Sequence, residues 1–157
     1  MKLPLTGGCQ CGRVRYAAEA EPLTLYACHC TECQRQSASA FGLSMPVLAE
    51  ALRLTSARPK EWRRTADSGR TVACQFCGDC GTRLLHRPER NPAVVNLKPG
   101  TLDDTAWLDP LGHVWTKSAQ PWLRQSLTGP LVFAGQPEDF APFYAAWHDR
   151  RRRAGDG

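Results

Sequence analysis

No apolar run in this 157-residue chain is long enough to cross a membrane as a helix, so no transmembrane segment is expected. The opening residues Met1-Lys2-Leu3-Pro4-Leu5-Thr6-Gly7-Gly8 hold no apolar stretch of export-signal length, which makes the reducing cytoplasm the expected location. Internal repeats, low-complexity segments and obvious linkers are absent. So are a glycine-rich phosphate loop and any Ser-His-Asp pattern that sequence can support. A surplus of one charge on the body is missing too. The formal net charge is +5, but without the run Arg150–Arg153, 16 basic residues face 15 acidic ones. A nucleic-acid binder carries a basic stripe on its folded body, so nucleic acid is not an expected partner. The reading is a single domain over residues 1–149, followed by a basic, frayed tail over residues 150–157.

Turn formers are plentiful, with 13 glycines and 12 prolines, which favours short β elements over a helical bundle. Strands are predicted at Arg13–Ala17, Leu23–Ala27, Ala40–Val47, Ala51–Thr55, Glu61–Thr65, Thr71–Phe76, Thr82–His86, Ala93–Leu97 and His113–Thr116. Val14 and Tyr16 alternate with Arg13 and Arg15, the pattern of a half-buried strand. Short pieces of this kind make an antiparallel assembly. Near the C-terminus Phe140, Phe143, Tyr144 and Trp147 recur at helical spacing, forming an amphipathic helix whose apolar stripe packs as core. Pro142 then belongs in the first turn, where no amide bond is lost. A second, short helix is predicted from Thr31, with Gln34 completing a capping box. Trp115 and Trp122 are read as core residues, and Asp103 and Asp104 as a turn.

Cysteine is the residue this chain has in excess. All eight fall in three clusters: Cys9-Gln10-Cys11, Cys28-His29-Cys30-Thr31-Glu32-Cys33 and Cys74-Gln75-Phe76-Cys77-Gly78-Asp79-Cys80. An even count also permits disulfides in a secreted chain, but the spacings are tight and no export signal is present. Grouped thiolates are the soft, anionic donors that tetrahedral zinc takes, and these clusters suffice for two zinc ions. In an extended segment Cys9 and Cys11 face the same way, and so do Cys28 and Cys30. Cys77 and Cys80 have zinc-knuckle spacing. One two-cysteine pair plus this knuckle would complete a closed Cys₄ site, although spacing leaves open which clusters pair. Cys28, Cys30 and Cys33 arise within one local loop and leave a fourth position unassigned, as in a catalytic zinc site. Cys74 is a candidate fourth ligand. If it closes that site, both zincs are structural. His29 points away from its neighbouring cysteines by alternation and is read as a supporting residue.

The segment Gly7-Gly8-Cys9-Gln10-Cys11-Gly12-Arg13-Val14-Arg15-Tyr16 resembles the opening signature of the glutathione-dependent formaldehyde-activating enzyme (GFA) family, also called the centromere protein V/GFA domain family. Cys28 to Arg35, continuing through Ser37, Ser39, Ala40 and Phe41, resembles its second signature, and Phe76 to Thr82 its third. Gly100 to Asp104, His113-Val114-Trp115 and Pro121-Trp122 are similar to its later landmarks.

The resemblance implies a mainly β fold, a zinc-stapled antiparallel β-tent with short helices. It implies a structural zinc on Cys9, Cys11, Cys77 and Cys80, and a catalytic zinc on Cys28, Cys30 and Cys33. The family's named reaction joins glutathione to formaldehyde to give S-hydroxymethylglutathione, the reverse of a carbon–sulfur lyase step. The implied partner is therefore a small thiol–aldehyde adduct. Arg35, two residues past Cys33, is the expected contact for a glutathione carboxylate. Two departures stand out: Ala38 occupies a position where the family usually has glycine, and Cys74 one where it commonly has a basic residue. The alternatives are a non-catalytic zinc-stabilised module that binds protein or nucleic acid, and a related zinc enzyme using another small thiol.

Overall fold

The computed structural model describes residues 1–66 and 69–155. In chain order the strands are β1 (Leu5–Gly8), β2 (Arg15–Ala18), β3 (Tyr26–Cys28), β4 (Gly42–Leu48), β5 (Leu52–Leu54), β6 (Lys60–Thr65), β7 (Thr71–Phe76), β8 (Arg83–Pro88), β9 (Val94–Leu97) and β10 (His113–Val114). The α-helices are α1 (Thr31–Ser37), α2 (Pro121–Arg124) and α3 (Ala141–Gly155). The chain is mainly β and forms two compact units, Met1–Pro22 with Met45–Leu108, and Leu23–Ser44 with Asp109–Gly157.

In the first unit β1, β2 and β5 make an antiparallel three-stranded sheet. Gly7 lies opposite Tyr16. A Cβ at Gly7 would sit 2.4 Å from both the Tyr16 hydroxyl and the Thr101 carbonyl oxygen, so only glycine fits there. The buried Tyr16 hydroxyl is 2.8 Å from Thr101 Oγ1, and burial pushes the phenol up to about 12. Residues Met45–Leu48 of β4 begin a second antiparallel run through β9, β8, β7 and β6. Met45, Val47, Leu84, Leu85, Val95 and Leu97 are fully buried. Each such side chain contributes about 1.5–3 kcal/mol. The edge strand β6 carries Lys60, Glu61, Arg63 and Arg64, charges that discourage pairing with another chain.

In the second unit β3 pairs antiparallel with Gly42–Ser44 of β4 and parallel with β10. The parallel pair is an exception to the antiparallel expectation. The long connection from β3 to β10 allows either direction. The core here is Cys28, Val114, Leu131, Phe140 and Phe143. The ring of Tyr26 lies 5.3 Å from Phe140 and 5.7 Å from Phe143. Phe143 and Trp147 bury the predicted stripe of α3, with Pro142 in its first turn and Asp139 accepting the Ala141 amide at 2.9 Å.

Several local expectations shift. The strand expected to Thr116 stops at Val114, because Trp115 turns left-handed at φ 60 and a 3₁₀ turn follows over Thr116–Ser118. Trp122 is 68% exposed rather than buried. Its four-residue helix is too short to cover it, and its Nε1–H bonds to Gln120. Helix α3 runs on to Gly155 and takes in Arg150–Arg153. Arg150 anchors it by donating to the Asp109 carbonyl at 2.7 Å, and Arg152 pairs with Asp149. The last residues of the expected tail, Asp156 and Gly157, lie outside the described residues.

Candidate metal centres

The first centre is built from two turns. Cys9 to Gly12 forms one, closed by the Gly12 amide on the Cys9 carbonyl at 3.0 Å. Cys77 to Gly81 forms the other, closed by the Gly81 amide on the Cys77 carbonyl at 3.0 Å. Gly12 at φ +77 and Gly81 at φ +74 end them in the left-handed region that favours glycine. Cys9 and Cys11 are thus brought together by a turn, not by strand alternation. The turns are tied to each other by Gln10 N–H to Thr82 Oγ1 at 3.2 Å and by an Arg13–Asp79 ion pair. That pair is exposed, so it contributes at most about 1 kcal/mol.

All four sulfurs, Cys9, Cys11, Cys77 and Cys80, lie within 4.8 Å of one another. Two measured edges are 3.4 Å (Cys9–Cys11) and 3.7 Å (Cys11–Cys77). A tetrahedron of sulfurs about 2.3 Å from zinc has edges of roughly 3.8 Å, so the set fits the ion. The thiols differ in acidity. The Thr82 hydroxyl and amide, followed by the Cys11 amide, pull Cys80 down to about 5. The Arg13 amide favours ionised Cys11, but its neighbours Cys9 and Cys80 oppose this, and the net effect pushes it to about 12. Thiols this close resist ionising together without a cation between them.

The second centre sits in the second unit, where β3 runs into α1. Cys28 ends the strand and Cys30 caps the helix with its own sulfur, which accepts the Cys33 amide at 3.3 Å. The cap is therefore Cys30, not the expected Thr31. Gln34 does not reach back to Thr31. Its side-chain amide instead donates to the His29 carbonyl at 2.7 Å and the Ser118 carbonyl at 2.8 Å. Cys28, Cys30 and Cys33 bring their sulfurs within 4.8 Å of one another, and Cys28 lies 3.5 Å from Cys30. Among the described residues no fourth His, Cys, Asp or Glu joins this group. Hydrogen bonds with Cys30 and Cys33, and then burial, push the Cys28 thiol far up. Cys28 is buried, whereas Cys30 and Cys33 are half-buried. The donor set suits a zinc ion with one position open.

His29 is fully buried, its Nε2 3.0 Å from His113 Nδ1 and its ring 5.3 Å from Phe41. Burial, and then His113, lower its pKa, and burial lowers that of His113, so the pair is neutral. His29 therefore packs against His113 and Phe41 and joins neither sulfur group. Its partner stands 84 residues away, on β10. Cys74 lies on β7 of the first unit, buried, its thiol 3.8 Å from the Val72 carbonyl, and it is in neither sulfur group. Arg35 lies on the outer side of α1, 78% exposed, 2.9 Å from Glu32. Ala38 ends α1 in the left-handed region at φ 49, ψ 39, the conformation for which glycine would be the natural choice. No helix of the described residues is long and apolar enough to cross a membrane.

A crystal structure of a Rhodobacter sphaeroides protein superposes with a TM-score of 0.52 at 20% identity, covering 82% of this chain and 99% of that one. That likeness supports the fold alone. Residues 4–118, which carry both sulfur groups, match the family described as "Glutathione-dependent formaldehyde-activating enzyme". The chain therefore belongs to the glutathione-dependent formaldehyde-activating enzyme family.

Proposed function

We propose that this protein is a zinc-dependent enzyme of carbon–sulfur lyase type, interconverting glutathione and formaldehyde with S-hydroxymethylglutathione. The observation that carries the reading is the three-sulfur group of Cys28, Cys30 and Cys33, with Cys28 buried, Cys30 and Cys33 half-buried and no fourth ligand among the described residues. A zinc ion bound there would supply Lewis acidity and favour an ionised thiol at neutral pH. The chain's own residues fix the geometry. The Cys33 amide orients Cys30, Gln34 locks the turn at His29, and the His29 side chain is held by His113. In the forward direction the glutathione sulfur forms a bond to the formaldehyde carbon and the C=O π pair moves to oxygen. The proton lost by the thiol is matched by one gained at the new hydroxyl. Arg35 is the proposed contact for a glutathione carboxylate, since its guanidinium stands exposed two residues past Cys33.

The four-sulfur group Cys9, Cys11, Cys77 and Cys80 is proposed as a structural zinc site. None of the eight cysteines forms a disulfide, which suits a reducing compartment, and the cytoplasm is the proposed location.

The test is the rate of adduct formation, read by exchange NMR on the zinc-loaded protein with glutathione and formaldehyde. The wild type should accelerate exchange and Cys30→Ser should abolish the acceleration, while Arg35→Gln should raise KM more than it lowers kcat. No acceleration by the wild type, or an unchanged rate in Cys30→Ser, would refute the reading. Acceleration with another small thiol but not with glutathione would refute its substrate half.

A further inference from the structure

One face of the sheet that β6, β7, β8 and β9 form in the first unit gathers cations that have no anion among the described residues. Strand register defines the face. Trp62, Cys74, His86 and Asn96 stand in one row across the four strands. Residues two apart on a strand share a side, so Arg64, opposite Val72, points the same way. Arg83, opposite Phe76, joins them: its guanidinium carbon is 5.4 Å from the Phe76 ring centre and 5.9 Å from that of Trp62. Lys98 follows Asn96 by two. The neighbouring Arg63 faces the other side and is paired with Glu61 at 2.9 Å.

The cations on this face have no such partner. Among the described residues Arg64 Nε, Arg83 Nη1 and His86 Nε2 are buried without a hydrogen bond, and His86 is only 6% exposed. Among the described residues none of Arg64, Arg83 and Lys98 is in an ion pair. Burial, then the fields of Lys98, Arg64 and Arg83, hold the His86 imidazole down at about 2, so all three cations act on one ring. A neutral imidazole can still offer an N–H at Nε2. Buried donors left unpaired are costly, and clustered like charges add to the cost. A negatively charged oxygen group placed among them relieves both. Trp62, 48% exposed, stands at the edge of the cluster as an apolar wall.

We propose that this face is an oxyanion-binding site, in which Arg64, Arg83, His86 and Lys98 receive the phosphate or carboxylate group of a small molecule. The site belongs to the first unit and rests on no part of the lyase reading.

The test uses the full zinc-loaded chain at fixed ionic strength, titrated calorimetrically with inorganic phosphate and, separately, with succinate. The nitrogen resonances of the His86 ring are followed by NMR and assigned with His86→Asn. Saturable binding with a shift of the His86 signals is expected. Binding should weaken about tenfold in Arg64→Gln and in Arg83→Gln, each of which removes a charge-assisted hydrogen bond. Arg63→Gln removes the same charge from the opposite face and should leave binding unchanged. A response to phosphate alone would assign a phosphate-bearing ligand, and a response to succinate alone a carboxylate-bearing one. The proposal is overturned if neither probe saturates at millimolar concentration, or if Arg63→Gln weakens binding as much as Arg64→Gln. It is equally overturned if only a single-stranded oligonucleotide binds, with a steep salt dependence. Should Arg64→Gln fail to fold, Arg83→Gln and the His86 signals of the wild type still decide it.

Discussion

Replacing Ala38 by glycine should stabilise this protein, although glycine substitution usually does the opposite. Ala38 is held at φ 49, ψ 39, where its amide reaches the Arg35 carbonyl at 3.3 Å and closes α1. An L-residue with a Cβ pays about 1–2 kcal/mol to sit there. Glycine avoids that strain but loses roughly 0.4–1 kcal/mol through the greater freedom of its unfolded chain. Ala38 is exposed, so removing its methyl group sacrifices no buried surface. The balance favours glycine by about 0.5–1 kcal/mol, a rise in Tm of roughly 1–4 °C for a chain of this size. The assay is thermal melting of the zinc-loaded proteins, with Ala145→Gly as the control of opposite sign. Ala145 is exposed in the middle of α3, and the same exchange there should cost about 1 kcal/mol. If Ala38→Gly melts at or below the wild-type temperature, the left-handed helix end stores no strain and the argument fails.

Cys77→Ser should lose the cooperative melt and aggregate, because structural zinc binding is worth about 10–16 kcal/mol, as much as a domain's whole stability. Cys30→Ser should lose one zinc per chain by metal analysis yet keep a cooperative melt, and equal destabilisation by the two would argue that both centres are structural. Gly7→Ala should cost about 2–4 kcal/mol by overpacking and by breaking the Tyr16–Thr101 hydrogen bond, since its Cβ would meet backbone at 2.4 Å; a Tm fall of roughly 10 °C checks this. Arg15, then Thr6, hold the Asp103 carboxyl below its usual range, so its stabilisation is full above the unfolded pKa of about 4 and fades as pH falls through the lower folded value. The side chains of Arg15 and Asp103 are 36% and 46% exposed, so Asp103→Asn should cost under about 1 kcal/mol at pH 7, and the difference between wild-type and variant Tm should narrow as the pH falls below about 4.

What was legible in the sequence was whatever rested on local pattern. Thr71–Phe76 is a short run set between turn-forming glycines, Gly69 and Gly78, and β7 has those bounds. The stripe from Phe140 to Trp147 gives α3 because four aromatics at helical spacing have one way to be buried together. The sulfurs of Cys9, Cys11, Cys77 and Cys80 come together, as do those of Cys28, Cys30 and Cys33. Features without a local signal were missed. β1 is four residues ending in two glycines, and α2 is a single turn. Trp115 at φ 60 cuts β10 short, a conformation no sequence rule expects of tryptophan. Gly12 did carry a signal: a glycine directly after Cys11 marks a turn, and that turn gathers the first pair of sulfurs. The His29–His113 contact and the cationic face of His86 depend on strand register, which pairs residues far apart in the chain and leaves no trace in a short window.

The two centres are built over different spans of chain, which is the physical argument for the proposed division of structure and chemistry between them. In the first, sulfurs 66 residues apart in sequence, those of Cys11 and Cys77, stand 3.7 Å from each other. Losing a ligand there loosens two distant turns that are also joined by the Gln10–Thr82 bond and one exposed ion pair. The entropy of closing so long a loop must then be met by weak contacts. In the second, three sulfurs arise within six residues, and the turn that presents them is already held by the Cys30 cap, by Gln34 on two carbonyls and by the buried histidine pair. Losing a ligand there releases almost no chain. A site that the fold holds without its metal can leave a coordination position open for a substrate, whereas a site that holds the fold must use all four.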